Sequence, residues 1–134
     1  MNTWKYVKAN IDAKNIRQFE EVIGFSLPLP VAEFILAHNN GRPRLNAVDM
    51  PSGEERIFEK LLSFNEDDVE NVFSTYENLR ADLKPELIAI ALDPFGNYFC
   101  IDTKNDCQVE FWMQESGAVE HTGKKLLALM DALH

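Results

Sequence analysis

Residues 87–102 read LIAIALDPFGNYFCID, two apolar runs on either side of a turn. The first run, residues 87–92, is short, apolar and rich in isoleucine and leucine, which predicts a buried strand. In the tetrapeptide that follows, Asp93 can accept local hydrogen bonds, Pro94 fixes φ, and Gly96 tolerates the exit conformation, so the chemistry predicts a type I turn. Residues 97–102 then form a second strand, and the stretch predicts a β-hairpin.

The chain after this hairpin predicts more antiparallel sheet and a closing helix. Residues 103–106 are a turn, and residues 108–114 are a third strand that is rich in aromatic side chains. Ser116 and Gly117 turn the chain into a short extended piece at 118–120. Thr122 is predicted to cap a final helix, since one face of that helix is apolar: Leu126, Leu127, Leu129, Met130 and Leu133.

The chain before the hairpin predicts helices. Apolar residues recur at helical spacing over residues 13–23, with Asp12 as the N-cap and Gly24 as the left-handed stop. Pro28 opens a second helix over 28–38, and Gly41 is expected to stop it in the left-handed conformation. Residues 42–53 contain two prolines and a glycine, which predicts a loop and the most mobile part of the chain.

Residues 57–64 mix apolar and charged side chains and are predicted to be a strand. Asn65 is then expected to cap a third helix, because three carboxylates follow it where the helix dipole favours negative charge. Apolar residues recur at helical spacing from Val69 through Leu83 and are expected to form the buried face of that helix. The element order predicts an α+β fold, in which N-terminal helices and a C-terminal helix pack around an antiparallel meander. At 134 residues, we expect a single domain over 1–134.

The charge of the chain favours a protein partner over nucleic acid. The net charge is −9, and residues 54–134 contribute −10 of it, with 17 Asp and Glu against 7 Lys and Arg. Such a surface repels phosphate backbones and attracts basic proteins, although solubility alone is an equally ordinary reason for it. No apolar stretch resembles a signal peptide or a membrane span, and two cysteines are too few for a disulfide framework, so we expect a cytoplasmic protein with no membrane contact.

The sequence offers little for catalysis. Its three histidines lack metal-ligand spacing with Cys100 and Cys107, and there is no Gly-rich phosphate loop or nucleophile elbow. Asp93 and Asp102 are the one carboxylate pair that could serve a hydrolase or a small-ligand site. Each has a sufficient role as a turn residue, and a hairpin would place them at opposite ends. We therefore predict a protein that is not an enzyme, with no catalytic, cofactor-binding or metal-binding residues.

Several motifs together resemble the SUKH superfamily of Smi/Knr-like domains. The run IRQFEEVIGFSLP at 16–28 is followed by Phe34 and by Asn40-Gly41-x-Pro43. Later come LSFN at 62–65, LIAIA at 87–91, Asp93-x-x-Gly96-Asn97-Tyr98-x-Cys100-x-Asp102, and VEFW at 109–112 with Glu115. The resemblance covers residues 16–115 in order. Within it we read a structural role for Gly24, Pro28, Gly41, Asp93, Gly96, Asn97 and Asp102. Val31 and Arg42 depart from the usual pattern near the end of the second helix.

The resemblance implies an α+β domain that acts by binding protein. Bacterial members are commonly immunity proteins that neutralise polymorphic toxins, many of them nucleases, and fungal members regulate cell-wall synthesis. A nuclease is basic where it grips phosphates, so an acidic partner can cover that surface. The sequence thus predicts an immunity protein, with a regulatory adaptor as the alternative. The expected contact residues are Glu66, Asp67, Asp68, Glu70, Glu110, Glu115, Glu120 and Trp112.

Overall fold

A computed structural model describes residues 2–134 of the chain. The four helices are α1 (Ala13–Ile23), α2 (Leu29–His38), α3 (Val72–Leu79) and α4 (Leu126–Ala132). The strands are β1 (Trp4–Lys5), β2 (Arg42–Pro43), β3 (Ala47–Asp49), β4 (Glu55–Ile57), β5 (Lys60–Leu61), β6 (Leu87–Leu92), β7 (Tyr98–Asp102), β8 (Gln108–Trp112) and β9 (Val119–Lys125). Strands β5 to β9 form one antiparallel sheet in sequence order, with β5 and β9 at its edges. The predicted α+β fold with a meander is confirmed.

The predicted hairpin is β6 and β7, and it forms the middle of the sheet. All six residues of β6 are buried, as expected for a strand covered on both faces. Leu92 pairs with Tyr98 at one end and Leu87 with Asp102 at the other, with one irregularity between Ala89 and Ala91. The turn between the strands is tied by Asp93, and Gly96 adopts a φ of 84°, which favours glycine.

The main core lies between one face of the sheet and the helices. Phe99 and Phe111 alternate with residues of the opposite face along β7 and β8, and their ring centroids are 4.9 Å apart. Phe19 of α1, Ile35 of α2 and Leu126 of α4 pack into the same cluster, each at most 2% exposed. Burial of such a side chain stabilises the fold by about 1.5–3 kcal/mol, so the core accounts for most of the driving force.

The second face of the sheet is covered only in part. Leu87, Cys100 and Trp112 form a smaller buried cluster with Leu79 of α3. Because α3 has only eight residues, it covers part of this face, and the part beside β8 and β9 remains as a cleft.

The ends of α1 follow the prediction, and α2 also ends at the predicted residue, His38, but its stop differs from the one expected. Asp12 Oδ1 accepts a hydrogen bond from Lys14 N, and Gly24 follows α1 in the left-handed region. After α2, the left-handed residue is Asn40, with a φ of 65°. The expected left-handed stop at Gly41 is therefore wrong. A Cβ on Gly41 would lie 2.8 Å from the His38 carbonyl oxygen, so close packing is what requires glycine there.

The segments at 42–53 and 57–64 are organised differently from the prediction. The expected loop at 42–53 contains β2 and β3, and β3 pairs with β4 in a small separate sheet. Val48 and Met50 in this segment are buried in the core. The single strand expected at 57–64 is divided between β4 and β5 by two residues, Phe58 and Glu59, of which Phe58 is fully buried.

The third helix is much shorter than expected and begins at Val72. Its N-cap is Asn71, whose Oδ1 accepts a hydrogen bond from Ser74 N, rather than Asn65. Residues 65–70 form turns, so the three carboxylates do not lie at a helix N-terminus. The cause is a pair of hydrogen bonds that Asp68 accepts from Lys8 and Asn10, which are distant in sequence and hold this segment outside the helix.

The C-terminal strand is longer than expected. The extended piece predicted at 118–120 is the beginning of β9, which continues to Lys125. Thr122 is buried within that strand, and its hydroxyl donates to the Val109 carbonyl oxygen at 2.7 Å. The predicted cap role of Thr122 is therefore wrong; α4 follows Lys125 directly and has no side-chain cap.

Candidate protein-binding surface

Residues 66–70, here called the acidic segment, lie beside the edge strand β5. The segment is fixed to the sheet because Ser63 N donates to the Glu70 carbonyl oxygen at 2.9 Å. Asn65 Oδ1 accepts from Asp67 N at 2.9 Å and so shapes the turn that opens it. Glu66 and Asp67 are exposed. The turn that opens the segment thus presents two exposed carboxylates, Glu66 and Asp67.

Asp68 points inward from the acidic segment and anchors it. Its carboxylate accepts hydrogen bonds from Lys8 Nζ at 2.9 Å, Asn10 Nδ2 at 3.0 Å and Ser63 Oγ at 2.5 Å. Burial acts to raise the Asp68 pKa, but these hydrogen bonds and the Lys8 charge outweigh it and lower the pKa to about 2. Asp68 therefore serves the structure of the segment, and its charge is already paired.

Glu70 is exposed but shares its charge with a buried lysine. Lys60 Nζ lies 3.0 Å from Glu70 Oε1 and 2.7 Å from Asn40 Oδ1, and the Lys60 side chain is only 6% exposed. A buried ammonium group needs such a partner, so Glu70 contributes to stability as well as to the surface. The Glu70 carboxylate also affects Tyr98. The pKa of the Tyr98 phenol is raised mainly by burial and, to a smaller extent, by the negative charge of Glu70.

Two turns bring further exposed side chains to the end of the sheet at which Lys60, Leu92, Tyr98 and Trp112 are paired. Phe95, in the turn between β6 and β7, is 83% exposed. Glu115, in the turn after β8, is also exposed. Asn97 joins the two turns, because its Oδ1 accepts from Gln114 N at 3.0 Å.

Three of the residues singled out from the sequence do not add free side chains to this surface. Glu110 and Trp112 are buried, at 3% and 4% exposed, on the second face of the sheet. Glu120 is bound by Arg56, whose Nη2 lies 2.6 Å from Glu120 Oε1 and whose guanidinium lies over the Phe111 ring. The exposed carboxylates of the original set are therefore Glu66, Asp67, Glu70 and Glu115.

Two exposed apolar residues escaped the sequence analysis. Val69 is 96% exposed in the middle of the acidic segment, although helical spacing assigned it to a buried face. Phe95 lies in a turn between Pro94 and Gly96. Because side chains at hairpin turns usually face solvent, this position could have predicted that Phe95 is exposed. Large apolar side chains at a charged rim are a common feature of protein interfaces.

The carboxylate pair considered for catalysis is used by the two turns. Asp93 Oδ1 accepts from Phe95 N and Asn97 N, and its Oδ2 accepts from Asn97 Nδ2 at 3.0 Å. Asp102 lies at the other end of the hairpin and accepts from Lys104 N. The arrangement separates the two carboxylates along the strand and gives each a structural role.

Other groups with potential chemistry lie outside this surface. Asp49, Glu55 and His134 bring potential metal-ligand atoms within 4.8 Å of one another, but all three are exposed, and His134 Nε2 already lies 3.1 Å from Asp49 Oδ2. Cys100 and Cys107 are buried thiols, and burial raises the pKa of both. Among the described residues, no helix is long and apolar enough to cross a bilayer.

Comparison with known proteins identifies the family. No curated protein is significantly similar to the sequence. The model of the SMI1 / KNR4 family (SUKH-1) matches residues 10–130. This range contains α1, α2, α3, the complete five-stranded sheet and α4 as far as Met130. This match covers nearly the whole chain and agrees with the resemblance found in its motifs. The chain belongs to the SMI1 / KNR4 family (SUKH-1).

Proposed function

We propose that this chain is an immunity protein that binds and neutralises a toxin domain through its acidic surface. The observation that carries the proposal is the acidic segment, which presents Glu66, Asp67 and Glu70 around the exposed Val69. The family match supports a role in protein binding. Glu115 and Phe95 extend the surface at the neighbouring turns.

The physical design of the surface suits rapid capture. Exposed carboxylates such as Glu66 and Asp67 make no ion pair among the described residues, so their charge is available to a partner. Long-range attraction between opposite charges raises the association rate, and exposed apolar residues can then be desolvated at the centre of the contact. Because Asp68 already fixes the segment, little conformational entropy remains to be lost on binding.

A basic nuclease is the partner class that this charge favours. Enzymes that cleave nucleic acids need Lys and Arg side chains to hold phosphates, and an acidic protein can cover those side chains. The net charge of −9 gives this chain the required sign. Binding at the phosphate-holding surface would exclude the nucleic acid and so neutralise the enzyme.

We also propose that the chain is a binding protein rather than an enzyme. Asp93 and Asp102, the strongest catalytic candidates, have turn contacts that account for their positions. We further propose that residues 1–134 act as one domain, since all four helices contribute to one core cluster. A cytoplasmic location is part of the proposal, because that is where a nuclease toxin would act.

The proposal predicts that a neighbouring gene encodes a toxin domain, and the test uses that domain as the partner. Stopped-flow mixing would measure the association rate at low and high salt for the native chain, for Glu66→Gln/Asp67→Asn, and for the control Glu21→Gln/Glu33→Gln, which removes the same charge from exposed positions of α1 and α2. We expect the first variant to associate about tenfold more slowly at about 50 mM salt, with a smaller difference at about 500 mM. A salt-independent rate, or equal slowing by the control, would contradict the acidic-surface mechanism.

The second candidate is a regulatory adaptor. SMI1 and KNR4 give the family its name, and a regulatory role is the one that the resemblance implies for fungal members. The same surface would then bind a cellular protein, for example one of cell-wall synthesis. Affinity capture separates the two roles. Capture of the neighbouring toxin domain supports immunity, whereas capture of a cell-wall synthesis protein in its place supports the adaptor.

A further inference from the structure

The second face of the sheet contains a polar cleft that the acidic surface does not use. It has a volume of about 280 Å³ and lies at the end of the sheet where Leu87 pairs with Asp102. Its walls come from the turn before β6, from the end of β7, and from β8 and β9. The residues that matter here are Glu86, Leu87, Asp102, Glu110, Val119 and His121.

Glu110 is the central group of this cleft. It pairs with Cys100 on β7 and His121 on β9, so its side chain rises from the middle of the sheet face. The residue is 3% exposed, and its Oε2 has no hydrogen-bond partner among the described residues. His121 Nδ1 lies against this oxygen and forms an ion pair with it when the ring is protonated, but the His121 side chain is largely exposed. A buried carboxylate whose one neighbouring donor is an exposed, titratable ring is poorly satisfied, and native structures seldom keep such a group without a reason.

The surrounding charges leave the cleft short of one positive group when His121 is neutral. Glu86, Asp102 and Glu110 line the cleft with Lys84, Lys104 and His121, and His121 carries a positive charge only when it is protonated. The Lys104 side chain is 77% exposed and its Nζ lies 3.7 Å from Glu86 Oε2, so the ammonium group pairs with Glu86 at the rim of the cleft. Burial raises the Glu110 pKa, His121 lowers it, and Asp102 raises it further. An incoming cation would relieve both the burial and the repulsion from Asp102.

The shape of the cleft favours a guanidinium group on an aliphatic stem. Leu87 and Val119 give the cleft apolar walls, against which methylene groups can pack. A guanidinium is planar and can donate two parallel hydrogen bonds to one carboxylate, which an ammonium cannot do. His121 has a side chain that is 80% exposed, so its ring can move into solvent when a better donor arrives.

We propose that this cleft receives an arginine side chain of the protein partner, with the guanidinium on Glu110 and the His121 ring displaced. The identity of the donor as a partner protein rests on the proposed function. The guanidinium site itself does not, because it follows from Glu110 and the walls of the cleft. The site adds one specific anchor to a surface that otherwise attracts its partner by charge.

The experiment is an NMR titration of the ¹⁵N-labelled chain with N-acetyl-L-arginine amide, using N-acetyl-L-citrulline amide as the neutral control of the same shape. We expect saturable shifts of the amide signals around Glu110, His121 and Leu87 with the arginine probe alone. Glu110→Gln should weaken that binding at least about tenfold, whereas Glu21→Gln, which alters an exposed carboxylate of α1, should leave it unchanged. His121→Ala should bind the probe at least as tightly, since it removes the ring that must move.

Several results would overturn the site. These are equal shifts with citrulline, shifts confined to other surfaces, or unchanged affinity in Glu110→Gln. Binding of N-acetyl-L-lysine amide as tight as that of the arginine probe would overturn the choice of a guanidinium. If Glu110→Gln does not fold, the comparison of arginine with citrulline on the native chain still tests the site. Because no toxin is present, failure here leaves the acidic-surface mechanism standing, and failure of the salt test leaves this site standing.

Discussion

Asp68→Asn should destabilise the fold although the side chain lies in a segment of turns. The substitution removes the charge that accepts hydrogen bonds from Lys8, Asn10 and Ser63. The difference between the ordinary pKa of 3.8 and the folded value of about 2 corresponds to about 2 kcal/mol. Solvent screens part of this, because the Lys8 side chain is 49% exposed, and we expect a loss of about 1–2 kcal/mol near neutral pH.

The stabilising contribution of Asp68 should decrease as the pH falls. Folding lowers the Asp68 pKa, so its stabilising contribution is complete above 3.8 and is lost as the pH falls through about 2. We would measure the free energy of unfolding of the native chain and of Asp68→Asn in urea. The difference between the two free energies should be constant from about pH 7 to about pH 5 and should decrease at lower pH as Asp68 is protonated.

Asp67→Asn is the matched control, since it makes the same chemical change one residue away on an exposed side chain. Its free energy of unfolding should stay within about 0.5 kcal/mol of the native value at each pH. The reasoning would be refuted by equal effects of the two substitutions. A second result would also refute the reasoning. If the difference in free energy of unfolding between the native chain and Asp68→Asn does not change down to about pH 3, packing alone would explain the effect.

Three further predictions concern the sheet. Gly96→Val should cost about 1–3 kcal/mol, because φ is 84° there; an unchanged melting temperature would contradict the turn conformation. Thr122→Val should cost about 1–2 kcal/mol by leaving the buried Val109 carbonyl without its donor, and a loss confined to α4 in hydrogen exchange would instead favour a capping role. Cys100 and Cys107 should resist a thiol-specific disulfide reagent in the folded chain and react in urea, because burial raises the pKa of both; fast reaction in the native state would contradict their burial.

The sequence predicts elements whose signals are local. The hairpin at 87–102 and the first helix follow from apolar periodicity, turn chemistry and caps within a few residues, and the structure contains both. The helix expected from residue 66 fails because Asp68 bonds to Lys8 and Asn10, about sixty positions earlier, and no local pattern reports such a contact. Thr122 has good capping chemistry, but pairing of β9 with β8 takes its hydroxyl to Val109.

The candidate binding surface is harder to foresee for the same reason. The counts of Asp and Glu locate the negative charge along the chain, but they do not distinguish the exposed Glu66 from the buried Glu110. That distinction depends on which side of β8 a residue occupies and on how far α3 reaches over the sheet. The exposed Val69 depends on the segment not being a helix, and so it could not be recognised before the contacts of Asp68 were known.

The two edges of the sheet also constrain how a partner can dock. On β5, the Leu61 amide already donates to the Gly41 carbonyl oxygen, and the amide of Ser63 just beyond donates to Glu70, so the backbone has few free donors there. On β9, the pairing with β8 is irregular, Gly123 has a φ of 74°, and Lys124 and Lys125 follow it. Bulges and lysines at an edge discourage strand addition. Neither filaments of this chain nor a β-strand borrowed from another protein can readily extend the sheet, which leaves recognition to side chains.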